Sequence, residues 1–220
     1  MIMAGKAPDY QVNLNLDGRC CLVIGGGKVA ERKVKALLEV GAEVTVISPD
    51  RTEAMSQWVK QNRIRYYARE YRPQDIEGYL LVFCATDSAA VNEQAAINAK
   101  KSGALVNVAD RLDLCDFTLP ARLLRGNLSI AVSTGGNSPA LARELRNELS
   151  ERYGPEYEDY LEMVGRLRRE WQQSCDSSAE RCCRWNELKG FDSEVLELLR
   201  QGRKVEAEVK FRHGIGCSGT

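Results

Sequence analysis

Apolar and polar positions along this chain follow two periods, and the switch from one to the other falls at glycines. Residues 20–24 (CCLVI) are apolar without a break, and three glycines follow. From Lys28 the apolar positions Val29, Val34, Leu37 and Leu38 recur at helical spacing between charged residues. The pattern predicts a buried strand, a tight turn and an amphipathic helix stopped by Gly41. Short apolar runs return at 43–47 (EVTVI), 64–67, 80–84 (LLVFC) and 105–108, with helical stretches at 51–61 and 89–102 between them. Strands alternating with helices predict an α/β fold on a parallel sheet, and the unbroken apolar run at 80–84 predicts a strand covered on both faces. Ahead of this series, Tyr10–Leu16 alternates apolar with polar and ends at Asp17-Gly18, which predicts a short edge strand turning into the core.

The pattern changes after Phe117. Residues 128–132 (LSIAV) predict another strand, followed by S-T-G-G-N-S-P and a helix from Ala140 to about Arg152, with Ser138 as its N-cap and Pro139 in its first position. Amphipathic helices are expected at 156–170 and 194–201.

Composition narrows the class. In 220 residues, 44% hydrophobic and 28% charged, Lys+Arg and Asp+Glu both number 31, so no global field would gather nucleic acid or an anionic membrane. Anionic ligands must be met by local groups. Residues 1–11 lack the apolar core of a secretory signal, and no apolar run approaches the length of a membrane span, so a cytoplasmic protein without membrane contact is expected. Of eight cysteines, two pairs are adjacent and one lies inside the first strand, which favours reduced thiols. Cys175, Cys182, Cys183 and Cys217 with His213 match no standard zinc spacing, and no bound metal is expected there.

The candidate chemistry sits at the ends of the predicted strands. The first turn reads G-x-G-x-x-A. Gly25 allows the bend, Gly27 lets a pyrophosphate approach the backbone, and Ala30 is small enough for helix to pack on strand. The phosphates would meet free N–H groups at a positive helix end. About 20 residues on, where an acid usually meets the adenosine ribose, stand Ser48, Pro49 and Asp50. Asp50 favours NAD, while Arg51 keeps NADP open. Ala85 is small enough for a cofactor to lie across the sheet. Thr86 and Asp87 are open to two readings, as cofactor contacts or as caps of the next helix. Asp110 directly follows the fifth strand, placed to take a proton from a bound substrate or to make a cap or ion pair with Arg111 or Arg122. Asp113 and Asp116 are weaker candidates. Gly135 and Gly136 before a helix start make a second candidate anion site, with Arg143 and Arg146 on the following helix.

Taken together, G-G-G-K-V-A-E-R-K, A-T-D-S-A-A-V-N at 85–92, N-V-A-D at 107–110, C-D-F-T-L-P-A at 115–121 and V-S-T-G-G-N-S-P-A-L-A-R at 132–143 resemble precorrin-2 dehydrogenase. The likeness extends to the dehydrogenase module of bifunctional sirohaem synthase and to the fungal dehydrogenase/ferrochelatase. It implies a Rossmann-type NAD-binding domain over residues 1–114, a small α+β dimerisation segment over 115–152 and a helical C-terminal domain over 153–220. It also implies a homodimer that oxidises precorrin-2 to sirohydrochlorin with NAD and, in some members, inserts Fe2+ or Co2+. Asp110 matches the family's essential aspartate. Gly25, Gly26, Gly27, Lys28 and Val29 match its cofactor loop, and Pro49 and Asp50 its second cofactor contact. Thr134 falls where the bifunctional enzyme carries a serine beside the substrate, and Gly135, Gly136, Ser138 and Arg143 lie around it. Residues after about 152, with Trp171 and Trp185, match no motif of the family. Two rival readings remain: an NAD-binding regulatory module, and a metal chelatase without dehydrogenase activity.

Overall fold

The computed structural model describes residues 9–174 and 193–214. The chain divides between Leu119 and Pro120 into two compact units. The first unit carries five parallel strands: β1 (Cys20–Ile24), β2 (Glu43–Ile47), β3 (Ile64–Tyr67), β4 (Leu81–Cys84) and β5 (Leu105–Val108). Their order is β3-β2-β1-β4-β5. The helices α1 (Lys28–Leu38), α2 (Glu53–Lys60) and α3 (Ala89–Lys101) make the crossovers.

Because side chains alternate along a strand, each strand feeds both faces of the sheet. Cys21 and Val23 of β1 point into one core with Val34 and Leu37 of α1 and Met55 of α2. Leu22 and Ile24 point into the other with Ala95, Ala96 and Ala99 of α3. Leu22, Val23, Val34, Val82 and Val106 are fully buried. Burying both faces is what makes these strands uninterrupted apolar runs. It also raises the thiols enclosed with them: burial pushes Cys84 up to about 12 and Cys21 to about 11. Among the described residues the cysteines, Cys20, Cys21, Cys84 and Cys115, are all free. Cys175, Cys182, Cys183, Trp185 and Cys217 lie outside the described residues, while His213 is exposed on the last helix and Trp171 is half-buried.

The register brings the strand ends level. Ile24 is opposite Ile47 on one side and Cys84 on the other, and Cys84 is opposite Val108. Four loops therefore leave the sheet at one rim, and β1 and β4, neighbours in space but not in sequence, form the switch point.

In the second unit, β6 (Ala121–Arg125) and β7 (Leu128–Val132) form an antiparallel hairpin, followed by α4 (Pro139–Arg152), α5 (Glu156–Ser174), α6 (Ser193–Arg200) and α7 (Lys204–Gly214). Tyr157, Tyr160, Met163 and Leu167 of α5 pack on Val195, Leu196 and Leu199 of α6 and on Ala207 and Phe211 of α7. Ion pairs Arg166–Glu208 and Arg212–Glu170 link α5 to α7. Among the described residues no helix is long and apolar enough to cross a membrane.

The structure departs from the expected elements in four places. Tyr10–Leu16 forms no strand: it pairs with neither edge of the sheet, only Leu16 is buried, and Tyr10, Val12 and Leu14 are exposed. The strand β6 was not expected, because A-R-L-L-R lacks a clean period of two and depends on pairing with β7. The helix α7 was also missed; its Val205 and Val209 are exposed, which blurs the helical apolar stripe. The first helix ends earlier than Gly41, at Leu38, and Gly41 (φ +75°) completes the turn into β2.

Candidate functional site

Each strand end hands its ladder on by one residue: Gly25 N–H donates to Ile47 O, Ala85 N–H to Ile24 O and Ala109 N–H to Cys84 O, at 2.8–2.9 Å. Between these loops lies a cleft of about 740 Å³, within the ~300–1,000 Å³ range of small-molecule sites. Gly25, Gly26, Gly27, Lys28, Val29, Pro49, Asp50, Ala85, Thr86 and Asp87 line it, together with Asp110.

The three glycines differ in what surrounds them. At Gly25 (φ +121°) a Cβ would run into the Ala85 carbonyl, and at Gly26 into the Asp50 carbonyl. At Gly27 nothing lies within 4 Å of where a Cβ would be, so the space belongs to the cleft. Gly27 is also the N-cap of α1 and offers no side chain. The first intrahelical bond runs from Glu31 N–H to Gly27 O, so the preceding N–H groups have no helical partner. A free, positive helix end over an open glycine fits a pyrophosphate. Lys28 ion-pairs with Glu31 at 3.1 Å beside it.

At the end of β2, Asp50 is exposed to the cleft. Arg51 stacks on Tyr66 at 4.3 Å and donates to Ser56 Oγ at 3.0 Å, and Tyr66 is itself fixed by donating to Ser48 O at 2.6 Å. At the end of β4, Ser88 and not Thr86 or Asp87 caps α3, accepting from Val91 N–H. Thr86 is held by buried Asn92, whose Oδ1 accepts from the Thr86 amide and hydroxyl at 3.1 and 2.8 Å and whose Nδ2 returns a bond to Thr86 O. The sequence reading passed over Asn92, and also over Glu70 and Tyr71 in the cleft wall. Tyr71 accepts from Asn98 at 2.8 Å, and burial raises its phenol above the usual range.

Asp110 sits at the rim with φ +61°, a left-handed conformation that asparagine and aspartate tolerate better than other side chains. Arg111 gives its guanidinium to Asp113, at 2.9 and 2.8 Å, and not to Asp110. That hydrogen-bonded pairing holds the Asp113 carboxyl below its usual range. Asp116 is a structural tie, accepting from Val106 N–H at 3.0 Å and pairing with Lys100 at 3.2 Å.

In the second unit the other predicted residues form a loop closed on itself. Thr134 Oγ1 accepts from Ser138 N–H at 3.1 Å, Asn137 donates its amide to Thr134 O, and Ser138 Oγ caps α4 at Leu141 N–H. Gly135 (φ +61°) and Gly136 (φ +84°) take the positive angles, and Arg143 is exposed. Among the described residues no group of His, Cys, Asp and Glu is arranged to hold a metal ion.

A parallel sheet in this order, with an uncapped glycine turn at its switch point, defines a Rossmann-type dinucleotide-binding protein. Comparisons with known proteins agree. A family described as "Putative NAD(P)-binding" matches residues 12–121, and one described as "Sirohaem biosynthesis protein central" matches residues 125–152. The chain is 37% identical over 195 residues to a sirohaem synthase of Nitrosococcus oceani, covering 89% of this chain and 41% of that protein. It is 43% identical over 141 residues to one of Nitrosomonas eutropha, covering 64% and 30%. The chain thus spans about two fifths or less of these curated relatives. The solved structure of SirC, a precorrin-2 dehydrogenase, superposes with a TM-score of 0.76 at 30% identity, over 92% of this chain and 100% of that one. The chain belongs to the precorrin-2 dehydrogenase/sirohaem synthase family, and its first domain is of the NAD-binding type.

Proposed function

We propose that this chain oxidises precorrin-2 to sirohydrochlorin with NAD+. The observation that carries the proposal is the Asp110 carboxylate, exposed just beyond β5 on the rim of the cleft that the dinucleotide turn opens. The open N–H groups at Gly27–Ala30 hold the pyrophosphate, and Asp50 accepts from the adenosine ribose hydroxyls. When bound, NAD+ supplies a nicotinamide that accepts a hydride. Asp110 accepts the proton that leaves the macrocycle in the same oxidation, and holding substrate and carboxylate together makes that transfer local. The exposed guanidinium of Arg143 and the hydroxyl protons of Thr134 and Ser138, at the turn through Gly135 and Gly136, bind the substrate's carboxylates.

The same carboxylate suits a second step, accepting pyrrole protons as Fe2+ or Co2+ enters the product ring. We further propose that the protein works as a homodimer in the cytoplasm, with residues 115–152 as the pairing segment. The test supplies purified protein with precorrin-2 and NAD+ and follows NADH and sirohydrochlorin, then adds Fe2+ or Co2+. Turnover is expected. Binding of NAD+ without turnover would instead leave a regulatory module, and metal insertion without NAD+ reduction a chelatase alone. Asp110→Asn is expected to lower kcat by about 10²-fold or more while the Kd for NAD+ stays unchanged.

A further inference from the structure

Lys33 does not behave as a surface residue of α1. It is half-buried, with its ammonium against the carboxyl-end residues of β4 and β5: it donates to Asn107 Oδ1 at 2.7 Å and lies 5.1 Å from the centre of the Phe83 ring. Burial holds this lysine below its ordinary range. A half-buried ammonium is costly unless polar partners make up for the lost water, and here the Asn107 amide oxygen and the face of the Phe83 ring do so.

Asn107 is buried and passes the contact on. With its oxygen taken by Lys33, its nitrogen faces the other way and donates to Phe117 O at 3.0 Å. Phe117 in turn packs edge-on against Phe83, with centroids 5.4 Å apart. Inside this bracket Val108 N–H meets Cys115 Sγ at 3.1 Å, and Asp116 N–H bonds Val106 O at 2.9 Å. The segment 109–117 is therefore tied to the sheet at both ends, at Ala109 and at Cys115, Asp116 and Phe117, and within it Asp110 keeps a left-handed backbone.

We propose that Lys33 is a positioning residue for the oxidation: through Asn107, which grips the Phe117 carbonyl, it holds the loop after β5 so that the Asp110 carboxylate stays on the wall of the cleft. The proposal rests on Asp110 being the base. Lys33 is absent from the cleft lining, so removing it leaves the dinucleotide site intact. The test compares full-length Lys33→Met and Lys33→Arg with the wild type in precorrin-2 turnover and NAD+ titration. Lys33→Met is expected to lose about tenfold or more in kcat while the Kd and KM for NAD+ stay within about twofold. Lys33→Arg, which keeps the charge and a donor, is expected to recover most of the loss. Wild-type kcat in Lys33→Met would overturn the proposal. So would a loss that appears equally in NAD+ affinity and that arginine does not rescue. A wild-type protein that binds NAD+ but leaves precorrin-2 unchanged would overturn the dehydrogenase reading and this inference with it, whereas an active wild type beside an unaffected Lys33→Met overturns the inference alone.

Discussion

The two glycine turns, Gly25–Gly27 and Thr134–Asn137, look alike as sequence: each follows an apolar strand and opens a helix. In the structure they are put to different uses. The first is gripped from outside, by the carbonyls of Ala85 and Asp50, and its helix start has no side-chain cap. The second is satisfied from inside, by Ser133, Thr134, Asn137 and Ser138, with its helix capped. A turn held by neighbouring strands can leave its own N–H groups open for a ligand. A turn that holds itself together spends them.

The comparison can be broken in three places. The largest effect is expected at Gly26→Ala, where the methyl meets a backbone carbonyl that cannot move without displacing β2; thermal denaturation should show a loss of about 3 kcal/mol together with loss of NAD+ binding. Gly27→Ala separates the two roles, since its methyl points into open cleft. It should leave the melting temperature unchanged and weaken NAD+ binding about tenfold, as read by calorimetric titration; equal binding would mean that no phosphate comes near this residue. Ser138→Ala removes the cap of α4 and should cost about 1 kcal/mol with NAD+ affinity untouched.

The smallest effect concerns acid, and lies away from both turns. Hydrogen bonding first to Arg166, and also to Arg212, holds Glu208 down from 4.5 to about 2. A depressed carboxyl adds stability that is complete above its unfolded value and lost as pH falls through the folded one. For a partly exposed pair the amount is below about 1 kcal/mol. Glu208→Gln should therefore be slightly less stable than wild type at neutral pH, with the difference shrinking below pH 4.5 and gone below about 2.

Much of the first unit was legible because its strands are buried on both faces. EVTVI and LVNV need no partner to be recognised, and their observed bounds are those expected; IRYY also falls where expected, although as an edge strand it leaves Arg65 and Tyr67 exposed. The G-x-G-x-x-A turn was legible for the same local reason, as it sits between such a strand and an amphipathic helix. Tyr10–Leu16 was misread because alternation makes a strand only when the segment pairs and buries one face, and here Tyr10, Val12 and Leu14 stay exposed. β6 was missed because it exists by pairing with β7. Lys33 and Asn92 each close one of the family motifs, yet nothing in the sequence gives either of them a role. A lysine on a charged helix reads as solvated, and only the packing of α1 against β4 and β5 turns it inward.

The chain's own order of residues determined the strand-turn-helix units, the position of each glycine and the presence of a carboxylate one residue beyond the Ala109 that closes β5, since these follow from short-range sterics and from periodicity. The tertiary structure decided which of those features meet. Parallel pairing in register draws loops from Gly25, Ser48, Ala85 and Asp110 to one rim, because strands bonded side by side must end side by side. It also decided which glycine is closed by a neighbour and which is left open, a property of the space around an atom and not of the atom's place in the chain.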